Sequence, residues 1–159
     1  HLSKTQMLKM QIKGIEFAET TLHVGLGTFS PIMVEDLSKH KMESEQMMIN
    51  STASTIINNA LVNRKKVCAV GTTVMRSLET SVSTKNMVIP YDGWTNIFIF
   101  PPYDFKIGSC MLTNFHLPKS SLMMQVSAFS GYDLLMKAYK EAVKKKYKFH
   151  TFGDAMLII

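Results

Sequence analysis

The sequence predicts an α/β domain in which strands alternate with helices around a largely parallel or barrel-like sheet. Short apolar runs of strand length, such as KVCAV at 66–70, are each followed by a segment with helical spacing. Glycine and proline separate these segments, and no internal repeat or low-complexity linker interrupts them. This alternation favours βα units, and 159 residues give room for one domain covering residues 1–159.

The first elements are two helices and a strand. Ser3 and Gln6 have the spacing of a capping box, so a helix is predicted from there to Gly14. The segment IEFAETTLHV, residues 15–24, is predicted as a strand, and STASTIINNALVNRK, residues 51–65, as a helix with Ser51 as its N-cap.

The remaining elements continue the alternation. The predicted strands are KVCAV, NIFIF at 96–100, GSCMLTNF at 108–115, and one or two short strands within 149–159. The predicted helices begin at 71–74, at Ser120 and after Gly131, and the last one runs to about Tyr147. Residues 83–94 are predicted to form the longest loop.

Composition indicates a soluble, cytoplasmic protein. The hydrophobic fraction is 46%, the mean hydropathy is +0.05, and no signal peptide or membrane-length apolar run is visible. Cys68 and Cys110 both lie in apolar strand-like runs, so we expect two buried, reduced thiols.

The net charge of +6 is concentrated in MKAYKEAVKKKYK at 136–148. Apolar residues keep helical spacing there, and lysines including Lys144, Lys145 and Lys148 occupy the other face. Two interpretations remain open from the residues alone: a solvated helix face, or a stripe that contacts nucleic-acid phosphates.

The strand end in LTNFHLPKSS, residues 112–121, carries the strongest site signal. Strand alternation puts Asn114 and His116 on one side and Thr113 on the other, and we expect the imidazole to be exposed. Function collects at the carboxyl ends of parallel strands, so these side chains are candidate site residues. The alternative is that Asn114 and His116 merely satisfy backbone groups of the loop.

Two further strand ends resemble it. In TLHVGLGTFSP, His23 is followed by Gly25, Gly27 and Thr28, and the glycines would let backbone approach a ligand, unless this is an ordinary tight turn.

In AVGTTVMRSLE, the residues Gly71, Thr72 and Thr73 open a helix, whose N-terminus is a ready anion site. Arg76 would reinforce that site, or would instead pair with Glu79.

A metal site is not predicted. The five histidines have no HExxH-type spacing, and the two cysteines lack zinc spacing.

Four motifs carry a resemblance to a known family. TLHVGLGTFSPI, VGTTVMRSLE, TNFHLPKSSLMMQVSAF and FGDAMLI occur in this order. Together they closely resemble the S-adenosylmethionine:tRNA ribosyltransferase-isomerase family of queuosine biosynthesis. The resemblance implies the C-terminal portion of a larger α/β domain, with the N-terminal half and a small β-barrel domain of the family absent.

The resemblance implies a metal-free transfer to the anticodon loop of a tRNA. S-adenosylmethionine is the ribosyl-donor substrate, and the acceptor is the aminomethyl-deazaguanine at the wobble position. The products are epoxyqueuosine, adenine and methionine, and we expect this chain alone to be inactive.

On this resemblance His23, His116 and Asp154 are the candidate catalytic residues. The two histidines would act as base and acid, and Asp154 would bind the methionine ammonium, the adenine amino group or the substrate amine. Arg76 with Thr72 and Thr73 would hold the methionine carboxylate or a tRNA phosphate, and Asn114 would orient His116 or a ribose hydroxyl. Three positions depart from the family pattern: Glu43, Pro102 and Ser109 stand where a histidine, a glycine and an aspartate are usual.

Two other functions remain as alternatives, and the oligomeric state is open. The chain could be a tRNA-binding module without catalytic activity, or a metal-dependent barrel hydrolase that uses His23 and His116.

Overall fold

The computed structural model describes residues 2–159, which form two three-stranded sheets and five α-helices. The strands are β1 Thr21–Leu22, β2 Glu45–Ile49, β3 Cys68–Val70, β4 Tyr91–Thr95, β5 Cys110–Asn114 and β6 Ala155–Ile158. The helices are α1 Lys4–Ile12, α2 Ser51–Val62, α3 Thr72–Thr80, α4 Ser121–Ser130 and α5 Tyr132–Lys144.

The α/β class is confirmed, but the strand pairing is more antiparallel than expected. One sheet has the order β1-β2-β4 with antiparallel pairs, and the other has the order β3-β5-β6. In the described chain only β3 and β5 pair in parallel, because β6 arrives from α5 through a turn and runs against β5. Val70 lies opposite Leu112, so β3 and β5 end at the same edge of their sheet.

Helix starts follow local side-chain chemistry. The Ser3–Gln6 capping box forms as predicted, and Ser120 caps α4 by accepting the Met123 N–H at 3.1 Å. The N-cap of α2 is Asn50 rather than Ser51, since the Asn50 Oδ1 accepts the Ala53 N–H at 2.8 Å.

Several predicted boundaries were wrong. The strand predicted at 15–24 is reduced to β1, and 96–100 forms no strand, although Ile99 is buried and the Phe98 ring packs between His40 and Phe100. The end of the predicted loop 83–94 belongs to β4, which is ordered by its pairing with β2.

Both sheets and four of the helices contribute to one apolar core. Met47 from β2, Met75 from α3, Met111 from β5 and Val126 from α4 are each fully buried. Burying a side chain of this size stabilises the fold by about 1.5–3 kcal/mol. Cys110 is buried as expected, whereas Cys68 is exposed, because burial alternates along β3 and Ala69 takes the buried side. Within residues 2–159, no helix has both the length and the apolar character needed to span a membrane.

Candidate functional site

A cavity of about 280 Å³ opens where β3 and β5 end and where α3 and α4 begin. Its size is near the lower end of the ~300–1,000 Å³ typical of small-molecule sites. The polar lining comes from the three strand-end segments singled out in the sequence and from the turn after α5. The lining residues are Val24, Thr28, Phe29, Gly71, Thr72, Thr73, Thr113, Asn114, His116, Leu117, Ser120, Leu122, His150 and Thr151.

His116 is buried rather than exposed, because β5 ends at Asn114 and the chain then folds inward. Its Nε2 lies 2.9 Å from the Thr113 Oγ1, and its backbone N–H donates to the Tyr139 hydroxyl at 2.8 Å. Burial, and secondarily the charge of His150, lowers the pKa of His116 to about 4. The imidazole is therefore neutral at pH 7.

Asn114 anchors the turn that follows α5. Its Nδ2 donates to the carbonyls of Gly153 and Asp154, each at 3.2 Å. The same turn brings His150 to the cavity. The alternation that was expected to pair Asn114 with His116 stops at the end of the strand, so the group that contacts the imidazole is Thr113 instead.

The start of α3 exposes backbone donors to the cavity. Gly71 is the N-cap and has φ of +103°, a conformation that L side chains rarely adopt, and no side chain caps the helix. The first N–H groups of a helix have no intrahelical partner, so those near Thr72 and Thr73 are available to an anionic group. The first turn of α4, with Ser120 and Leu122, lines the same cavity.

The loop after β1 forms the facing wall through Thr28 and Phe29. Its two glycines approach carboxylates rather than the cavity. The Gly25 N–H donates to the Glu45 Oε1 at 2.8 Å, and a Cβ on Gly27 would lie 2.6 Å from the carboxyl carbon of Glu43. Glu43, one of the departures from the family pattern, thus fills space that glycine leaves.

Arg76 does not line the cavity. Its residue is 3% exposed, and its Nη1 pairs with the Glu45 Oε2 at 2.5 Å. Glu79, the partner considered from the sequence, instead accepts the backbone N–H groups of Lys106 and Ile107 at 3.1–3.2 Å.

Two other candidates also lie outside the lining. His23 is exposed, and its backbone N–H donates to the Gln46 carbonyl at 2.9 Å. The Asp154 Oδ2 accepts the Lys148 N–H at 2.7 Å and so closes the turn before β6.

Sequence reasoning missed His150 and Glu45. No spacing marks His150, which is brought to the cavity by the turn at 148–154, and Asn114 is one of the residues that hold this turn. Glu45 could have been found as a charged residue on the same strand face as Met47 and Ile49.

The lysines predicted to form a stripe on one helix face are divided between the end of α5 and the turn that follows it. Lys144 is the last residue of α5, Lys145 is its C-cap, and Lys148 lies in the following turn, close in sequence to His150. All three are exposed, and Lys145 pairs with Glu141 at 3.5 Å.

The other departures from the family pattern lie away from the cavity. The Ser109 Oγ accepts the Val67 N–H at 2.9 Å, and Pro102 follows a cis peptide bond. Residues 2–159 contain no group of three or more His, Cys, Asp or Glu side chains that could hold a metal ion.

Comparisons with known proteins agree over the whole chain. The profile of the family described as "Queuosine biosynthesis protein" matches residues 1–158. Relatives named S-adenosylmethionine:tRNA ribosyltransferase-isomerase from Flavobacterium psychrophilum and Cytophaga hutchinsonii are 61% and 58% identical over 159 residues. Each match covers 100% of this chain and 46% of the relative, so the chain spans about half the length of these relatives.

The fold also matches a solved structure. The crystal structure of an S-adenosylmethionine tRNA ribosyltransferase from Thermotoga maritima superposes with a TM-score of 0.82 at 38% identity. The match covers 99% of this chain and 50% of that protein. The profile match, the close relatives and the shared fold together establish that this chain belongs to the family of queuosine biosynthesis proteins.

Proposed function

We propose that this chain is part of a tRNA-modifying transferase and isomerase that uses S-adenosylmethionine as its ribosyl donor. The observation that carries the proposal is the cavity, where the His116 imidazole, the Asn114 amide and the open N-terminus of α3 converge. The names of the close relatives supply the substrate class.

The proposed reaction moves the ribosyl group onto the aminomethyl-deazaguanine at the tRNA wobble position. The sulfonium of S-adenosylmethionine acidifies the neighbouring ribose carbon, so a base can remove a proton there. Adenine leaves with that proton, the acceptor amine forms a C–N bond to the ribosyl group and releases one of its own protons, and the C–S bond breaks so that methionine leaves with its sulfur. The rearranged ribosyl group remains on the amine nitrogen as epoxyqueuosine. No metal is required for these steps.

His116 is proposed as the group that moves the proton. Its low pKa keeps the imidazole unprotonated, so it is free to accept. A carboxylate bound beside it would raise that pKa, because the opposite charge stabilises the imidazolium. The proton taken from carbon could then pass to the departing adenine. His150, rather than His23, is the second imidazole available in the cavity.

The other assignments shift with the geometry. The α3 N-terminus at Thr72 and Thr73 is proposed to hold the methionine carboxylate without a direct contact from Arg76. Asn114 and Asp154 are proposed to keep the turn carrying His150 in place.

The anticodon loop is proposed to lie over Lys144, Lys145 and Lys148. These exposed lysines lie at the end of α5, in the segment that leads to His150, so a bound phosphate backbone would pass near the cavity. The +6 net charge supports attraction of a polyanion.

The test is a chimera in which this chain replaces the 159 matching residues of the Flavobacterium psychrophilum relative. The chimera should release adenine from S-adenosylmethionine only when substrate tRNA is present. A folded chimera that binds tRNA but never releases adenine would contradict the transferase and favour a binding module.

A further inference from the structure

Glu45 is a charged residue on an otherwise apolar strand face. It shares that face of β2 with Met47 and Ile49, and its side chain is 2% exposed. Burying a carboxylate is costly unless it is paired and hydrogen-bonded, so its contacts should account for its presence.

The carboxylate of Glu45 joins the loop wall of the cavity to α3. Its Oε1 accepts the Gly25 N–H at 2.8 Å and the Thr28 hydroxyl at 2.6 Å. Its Oε2 accepts the Arg76 Nη1 at 2.5 Å. Two segments, the loop after β1 and α3, therefore meet on this side chain of β2, and the loop supplies Thr28 to the cavity lining.

The Thr28 hydroxyl is left with acceptor capacity only. Its single proton is committed to Glu45, and Arg76 approaches its oxygen at 3.4 Å. A hydroxyl has two lone pairs, so one can still accept a hydrogen bond. Thr28 lines the cavity, so a ligand group that bonds to its hydroxyl would have to be a hydrogen-bond donor, such as a ribose hydroxyl or an ammonium.

We propose that Glu45 is a positioning residue: it holds the Gly25–Phe29 loop against α3 so that the Thr28 hydroxyl accepts from a donor group of the bound substrate. This inference rests on the proposed use of S-adenosylmethionine. Glu45 does not touch the ligand and acts through Thr28.

Glu79 is a matched control. It is also a buried carboxylate with several hydrogen bonds, at 7% exposure. Its partners are the backbone N–H groups of Lys106 and Ile107 and the Tyr103 hydroxyl, all outside the cavity lining. A variant Glu79→Gln loses a buried charge just as Glu45→Gln does, without disturbing the Gly25–Phe29 loop.

The experiment measures the Kd for S-adenosylmethionine by calorimetry, together with the Tm, in the chimera. Glu45→Gln should weaken binding at least about tenfold, whereas Glu79→Gln should lower the Tm but change the Kd by less than about twofold. Equal effects of the two variants on the Kd would overturn the proposal.

A double variant separates positioning from stability. Glu45→Leu with Arg76→Met removes both charges, so it leaves no unpaired ion in the core and should recover the Tm. Binding should stay weak, because the Thr28 proton no longer has its acceptor. Recovery of the Kd along with the Tm would show that Glu45 is merely structural.

Variants of Thr28 test the acceptor itself. Thr28→Ser keeps the hydroxyl and should bind nearly as the parent does, whereas Thr28→Val, which has the same shape, should bind as weakly as Glu45→Gln. Tight binding by Thr28→Val would count against the proposal. Calorimetry needs no turnover. A parent chimera that binds S-adenosylmethionine but releases no adenine would therefore refute the proposed reaction, and the binding measurements would still decide the role of Glu45.

Discussion

The cavity and the end of α5 differ in how their polar side chains are held. In the cavity, His116 contacts Thr113, Asn114 donates to two carbonyls and Thr28 donates to Glu45, so these three side chains are held by neighbours. At the end of α5, Lys144, Lys145 and Lys148 are exposed, and the surface pair of Lys145 with Glu141 spans 3.5 Å. Held groups suit one small molecule in one pose, whereas exposed charges suit a phosphate backbone.

The two regions adjoin through one aromatic cluster. The Phe115 ring contacts those of Tyr139, Tyr147 and Phe149 at centroid distances of 5.2–5.7 Å, and its carbonyl accepts the His150 N–H at 2.9 Å. The basic end of α5 and the cavity are thus joined by direct contacts through Phe115.

The largest effect should come from His116→Ala in the chimera. Positioned acid–base groups contribute roughly 10²–10⁴ in rate, so the rate constant for adenine release should fall by about two orders of magnitude or more. Because the imidazole is buried, stability should also fall, by about 1–3 kcal/mol. The measurement is single-turnover adenine release, made below the lowered Tm.

His116→Asn serves as the companion variant, since it can hydrogen-bond to Thr113 but cannot take up a proton. Full activity in this variant would assign His116 to orientation alone. Unchanged turnover in His116→Ala would contradict the assignment of this cavity as the site of the reaction.

The next effect concerns acid stability. The pKa of His116 is about 4 in the folded protein and 6.5 when unperturbed, so the unfolded chain binds more protons between these values. The stabilising contribution is complete above about pH 6.5 and is lost as the pH falls toward 4. The full loss is about 3 kcal/mol.

Urea unfolding of the parent and of His116→Gln at several pH values checks this. The difference between the two free energies of unfolding should change by most of that amount between pH 7 and pH 4.5. Parallel curves would mean that the imidazole is not shielded as its burial indicates.

A smaller effect is expected at the basic end of α5. Changing Lys144, Lys145 and Lys148 to Ala should weaken tRNA binding, and the slope of log affinity against log salt should flatten by about 2 if all three contact phosphates. Affinity for S-adenosylmethionine should hardly change, because no lysine lines the cavity.

The control for this triple variant is the change of Lys4, Lys9 and Lys13 to Ala on and beside α1, which removes the same charge from exposed positions. If both triple variants flatten the slope equally, net charge rather than location accounts for the binding.

The smallest effect should come from the exposed pair of Lys145 and Glu141. Glu141→Gln should change the free energy of unfolding by less than about 0.5 kcal/mol, because solvent and salt screen such pairs. A loss above 1 kcal/mol in thermal unfolding would show that this end of the helix is more ordered than its exposure indicates.

The sequence predicted correctly those elements that are determined by residues close together in the chain. The capping box of α1, the Ser120 cap and the strand end at 112–116 needed only neighbouring residues. β4 was missed because Asp92 and Gly93 are poor strand formers, and only its pairing with β2 orders it. The apolar run 96–100 was predicted as a strand, but it forms no hydrogen-bonded pairing with a neighbouring strand. A buried apolar segment without such pairing has the same sequence pattern as a buried strand.

The residues of the candidate site also fall into those that local sequence patterns predicted and those that only tertiary contacts bring in. Thr72, Thr73, Thr113, Asn114 and His116 were placed together because strands and helices meet at one edge of a sheet. The pairing of Arg76 with Glu45 joins residues 31 positions apart, and no periodicity links them. His150 reaches the cavity through a turn fixed by tertiary contacts, and the sequence holds no sign of them.

The residues that line the cavity lie far apart in the sequence, and this separation has a consequence for folding. Val24 and Phe29 come from early in the sequence, and His150 and Thr151 from its last ten residues. Contacts of such long sequence separation form slowly, because much of the chain must be ordered before they can close. Binding of the proposed ligand, S-adenosylmethionine, should therefore appear after helical circular dichroism during refolding, and it would then report completed folding rather than act as a template for it.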